Sequence, residues 1–129
     1  MNYLVLLGRF CYSAIFIMAG PAHFTKADLA YGVSKGVPLA SIAVPLSGVI
    51  ALLGGLSILA GYKARYGAWL LVLFLVPVTV MMHDFWVITD PVVKSMQQIM
   101  FMKNLSMLGA ALLIVYFGSG PLSVDNKSA

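Results

Sequence analysis

Four long apolar runs, residues 3–20, 37–62, 66–82 and 99–117, occupy most of this chain, and only two charges lie inside them, Arg9 and Lys103. A helix needs roughly 20 mostly apolar residues to cross a hydrocarbon core of about 30 Å. Each run is near that length, or long enough with modest tilt. The expected fold is therefore all-α: a polytopic membrane protein built as a four-transmembrane-helix bundle. The four spans leave no room for a soluble domain, so residues 1–129 read as a single membrane domain. The chain is 61% hydrophobic and 9% charged, which excludes an ordinary water-soluble domain of this size. Its net charge of +4 is spread over loops and helix ends. No basic cluster suggests a nucleic-acid partner. The lipid bilayer is the one partner the composition demands.

The connections carry the punctuation. Residues 21–36 read as an extramembrane loop with room for a short interfacial helix, and 61–67 as a tight turn holding Lys63 and Arg65. Residues 83–98 read as a longer loop, and Gly118 to Pro121 stops the last helix before a polar tail, 122–129. Four spans place both termini and the 61–67 turn on one side. Arg9, Lys63, Arg65 and Lys127 lie on that side and Lys26, Lys35, Lys94 and Lys103 on the other. The short turn with two cations pressed against the membrane favours cytoplasmic termini in a bacterial inner membrane. Phe10 to Gly20 after Arg9 loosely imitates a secretory leader, but apolar Leu4 to Leu7 stand where a charged n-region belongs, so the run reads as a retained span.

The second run carries small residues at helical spacing, among them Ser47, Gly48, Ala51, Gly54 and Gly55. Lipid offers little hydrophobic drive between helices, so close backbone approach at such residues supplies dispersion contacts instead. The stripe is expected to face other helices, with a homo-oligomer seam as the alternative, and Leu71 is expected to face lipid. Pro45 and Pro77 predict kinks. Cys11 stands alone, which removes thiol–disulfide chemistry and leaves a small buried apolar side chain as its expected role.

Charged and titratable groups in spans are expensive and mark candidate sites. Arg9 needs the interface or a partner. No acid lies in any span, and on the predicted topology Asp125 shares its side. The expected lock is a folded-back tail in which Asp125, or a backbone carbonyl near the end of the last helix, receives the guanidinium. On the other side His23, His83, Trp86 and Lys103 gather at helix ends. Lys could counter an anion, His could hydrogen-bond a carbonyl or move a proton, and Trp could stack, so the group suits a quinone head or small anion. The bland alternative is an aromatic anchor with a snorkelling lysine. Two histidines at helix ends make a weak case for haem, and no ligand spacing supports a metal.

The ordered pieces Arg9 with Gly20-Pro-Ala-His-Phe24, Leu53-Gly-Gly-Leu56 with Gly61 and Arg65, His83-Asp-Phe-Trp86, Phe101-Met-Lys-Asn-Leu105 and Gly120-Pro-Leu-Ser-Val-Asp125 resemble the DoxX family of small four-helix bacterial inner-membrane proteins. That resemblance implies four spans, cytoplasmic termini and a redox association, some relatives being the membrane subunit of a thiosulfate:quinone oxidoreductase. Many members carry Glu before the Gly-Gly pair where this chain has Ala51. The expected function is thus a membrane subunit of a redox system that meets the quinone pool beside a redox partner protein. The alternative is a non-catalytic scaffold that anchors a partner enzyme. A small-solute carrier fits less well, since four spans without an internal repeat make a poor alternating-access machine.

Overall fold

A computed structural model of the protein describes residues 1–127; Ser128 and Ala129, the end of the polar tail, lie outside them. The described residues are helical and turn structure throughout: α1 (Asn2–Ala19), a 3₁₀ turn (Gly20–Phe24), α2 (Lys26–Ser34), α3 (Ala40–Ala60), α4 (Ala64–Met82), a second 3₁₀ turn (Phe85–Val87), α5 (Pro91–Phe117) and α6 (Val124–Lys127). Four helical segments, carrying α1, α3, α4 and α5, are long and apolar enough to cross a membrane. The protein is a multi-pass membrane protein whose outer faces contact lipid. α2 is a short helix between the first two spans, begun by Thr25, whose hydroxyl accepts from the Asp28 N–H at 3.2 Å.

α5 begins well before residue 99. Asp90 caps it, its carboxylate accepting from the Val92 and Val93 N–H groups at 2.9 Å each, and Pro91 takes the first helical position. Lys94, Ser95, Gln97 and Gln98 hide that start from a hydropathy reading, although Asp-Pro is a local start signal. The expected 83–98 loop is therefore only its first half.

The packed centre holds Phe16, Ala51, Ile58, Ala68, Leu71 and Leu75. Leu71 is 0% exposed, which corrects its expected lipid-facing place; Leu73, 61% exposed, faces outward. Cys11 is likewise exposed rather than buried. The α3 stripe lies against its neighbours. A side chain at Gly48 would meet the Gly20 carbonyl and His23 Cβ at 2.7 Å, and one at Gly54 the Gly67 carbonyl at 2.9 Å. Gly54 and Ala51 are buried, as is Gly55 against Phe16 and Ile17, while Ser47 is half-buried. α3 thus touches α1 on one flank and α4 on the other.

Candidate functional site

At the end opposite the termini, the first 3₁₀ turn, α2, α3 and α4 border a half-open cavity of about 200 Å³ whose wall includes His23, Asp28, Tyr31, Ser47, Val78 and His83. A second cavity of about 150 Å³ also borders Val78 and His83 and reaches the packed centre, lined by Phe16, Ala51, Phe74, Leu75, Asn104 and Met107. Both walls are mainly apolar, with polar side chains from His23, Asp28, Tyr31, Ser47 and His83 on the first and from His83 and Asn104 on the second.

Each polar residue is placed by local chemistry. Pro21 opens the turn after α1 and sets His23 against α3, where glycine at 48 leaves room for its Cβ. His23 Nδ1 lies 2.7 Å from Ser47 Oγ and its ring packs on Phe74, centroids 5.6 Å apart. His83 follows the last turn of α4, and its Nδ1 lies 2.7 Å from Gln97 Oε1 on α5. α2 lies across the mouth. Tyr31 donates to the Met82 carbonyl at 3.2 Å, and Lys35 pairs with Asp84 at 2.5 Å. This pair is partly solvated, so Lys35→Met should lower detergent stability by no more than about 1 kcal/mol. A melting-temperature comparison checks it.

Of the four residues expected at this mouth, the structure brings His23 and His83 to one cavity. Trp86 packs edge-on to Phe85 and Phe101 and is 51% exposed, outside the cavity walls. Lys103 is exposed, its Nζ 3.3 Å from Met100 Sδ. The neighbouring Asn104 faces inward instead: it is 6% exposed, lines the deeper cavity, and its side chain has no hydrogen-bond partner among the described residues. Asn104, Gln97, Asp28 and Tyr31 are the members that sequence reasoning missed. The sequence signal for Asn104 is a polar residue within an apolar run, which does not by itself show that it faces inward.

The terminal side holds the second constellation. Arg9 is 5% exposed and donates to the Ser119 carbonyl at 3.2 Å and to the Leu122 carbonyl. Asp125 does not pair with it directly. Among the described residues the ion pair present is Lys35–Asp84. The Asp125 carboxylate instead accepts from the Lys63 N–H at 2.8 Å and the Ala64 N–H at 3.3 Å, capping α4, whose start has no side-chain cap of its own. A carboxylate there also meets the positive end of the helix dipole. The Lys63 N–H above all, with the Ala64 N–H and the Arg9 charge, holds the Asp125 carboxyl below its usual range. A depressed carboxyl stabilises the fold above its unfolded value, about 3.9, and that contribution vanishes as pH falls through the lower folded value. Tail protection against protease should therefore persist at neutral pH and fall in acid below pH ~4, with Asp125→Asn weakening it at neutral pH and flattening the dependence.

Comparison with known proteins supplies the family. The SURF4 family model matches residues 33–129. The chain belongs to the SURF4 family. It is 29% identical over 126 residues to the inner membrane protein YphA of Escherichia coli, covering 96% of this chain and 89% of that protein. Inner membrane protein YqjF of the same organism is 30% identical over 123 residues, covering 94% and 88%. The ER-derived vesicles protein ERV29 of Saccharomyces cerevisiae is 29% identical over 79 residues, 61% of this chain and 25% of that protein. No solved structure matches the chain at a significant level. The SURF4 match corrects the DoxX resemblance. The short pieces behind it are helix stops, small-residue pairs and interface aromatics, which any small four-helix membrane chain needs. The redox association they implied loses its support with them.

Proposed function

We propose that this SURF4-family protein is a non-catalytic, membrane-embedded binding protein for the polar head of a small amphiphile. The observation that carries this reading is a pair of mainly apolar cavities that both border His83, each with a few polar side chains on its wall, the buried, unpartnered Asn104 among them. Mainly apolar walls with a few polar groups match a molecule with a hydrogen-bonding head and a hydrocarbon body. A quinone is one molecule of this kind and enters as a probe, since no redox partner is indicated.

The test is a lipid extract of the purified protein. Wild-type protein should carry an enriched amphiphile, and Asn104→Leu with His83→Ala should lose it at least about tenfold while melting within a few degrees of wild type. An extract indistinguishable from bulk membrane lipid would overturn the reading and leave the anchoring role in its place.

The bacterial relatives' names, with Lys63 and Arg65 in the shortest turn, support an inner-membrane location with both termini in the cytoplasm. Reporter fusions after Lys127 and within 26–35 should then report opposite compartments, the first cytoplasmic. A periplasmic report after Lys127 would reverse the orientation.

A further inference from the structure

Resting on that binding reading, we infer that the ligand's head is a neutral hydrogen-bond donor, a hydroxyl-bearing head such as a quinol or a lipid polyol, rather than a carbonyl acceptor. The inference comes from where the cavity's own protons go.

Ser47 has one hydroxyl proton. Its oxygen lies 2.6 Å from the Val44 carbonyl, a separation that requires the proton between them. Ser47 Oγ must then accept from His23, which places the imidazole proton on Nδ1. His83 Nδ1 faces the carbonyl oxygen of the Gln97 amide, so it too carries its proton there. With the ring proton on Nδ1, Nε2 of each ring is left as a lone-pair acceptor. Neither Nε2 has a protein partner among the described residues, and neither is sealed from a water-sized molecule as Arg9 Nε, Ser13 Oγ and Thr79 Oγ1 are.

The rest of the wall leans the same way. The Tyr31 hydroxyl proton is used on the Met82 carbonyl. The Asp28 carboxylate has no hydrogen-bond or ion-pair partner among the described residues, and it can only accept. Asn104 alone offers a free donor, paired with an acceptor on the same amide. A carbonyl head would set lone pairs against lone pairs here, whereas hydroxyl protons meet waiting acceptors. A neutral hydroxyl also loses its water at far lower cost than an ammonium at this membrane depth.

The experiment uses the full chain in nanodiscs. ¹⁵N spectra of labelled histidine should show Nε2 unprotonated on both rings at neutral pH. Binding is then compared for a short-tailed benzoquinol held reduced under argon, its matched benzoquinone, and a monoacylglycerol. The quinol and quinone share one carbon frame and differ in presenting two O–H donors or two carbonyl acceptors. Quinol or monoacylglycerol should bind at least about tenfold tighter than quinone, and which of the two binds identifies the source of the hydroxyls. Gln97→Ala frees the His83 tautomer without removing a cavity wall and should shrink the preference several-fold; Ser47→Ala, which also alters the wall, frees the His23 tautomer and should shrink the preference likewise if the first variant fails to fold. Quinone binding as tight as quinol, or a proton on Nε2 of both rings, would overturn this inference alone. Binding by none of the three would overturn the binding reading and this inference with it.

Discussion

Arg9→Met is expected to unlatch the C-terminal segment and to destabilise the bundle by about 3 kcal/mol, because it strands two acceptors that each cost about 1–3 kcal/mol when left unpaired. The guanidinium bridges the Ser119 and Leu122 carbonyls from α1, and no other side chain donates to either carbonyl among the described residues. Lysine does not restore the arrangement, since an ammonium is a point charge and lacks the planar fork that reaches two carbonyls at once. Thermal melts in detergent, with protease cutting after residue 117 as the second readout, should show both variants weakened, Arg9→Lys less so. Wild-type melting with a protected tail in Arg9→Met would refute the lock.

The second large effect concerns α3. Gly54→Leu should destabilise by about 3 kcal/mol or more, the upper range for overpacking. A Cβ at this position would meet Leu71 Cδ2 at 2.6 Å and the Gly67 carbonyl at 2.9 Å, so backbone, and not only a side chain, must yield. Leu73→Phe on the exposed flank of α4 is the control and should move the melting temperature little. Equal shifts for the two would mean that α3 and α4 do not depend on this close approach.

Much of the architecture is legible because lipid penalises charge so heavily. Residues 3–20, 37–62, 66–82 and 99–117 announce helices by length alone, and Arg9 announces a need for acceptors. The same uniform apolarity hides which face of a span is inside. Leu71 and Leu73 are chemically identical and two residues apart, yet one is core and the other meets lipid. Hydropathy periodicity is silent when both environments are oily. Cys11 is misplaced for the same reason. The candidate site is only half legible. His23 and His83 stand out as titratable groups at helix ends, whereas choosing Asn104 over Lys103 requires the rotation of α5, which depends on a helix start at Pro91 that polar residues obscure. Hydropathy places Gln97 in a loop, which conceals it as the partner of His83.

The Arg9 lock also orders events in time. Its acceptors, the carbonyls of Ser119 and Leu122, are made more than a hundred residues after the guanidinium itself. While the chain is being synthesised, α1 must wait in or near the membrane with a cation whose resting place does not yet exist. Asp125 arrives later still, and only then does α4 gain its cap. The acceptors of the first helix's guanidinium are thus unmade until the segment after α5 emerges.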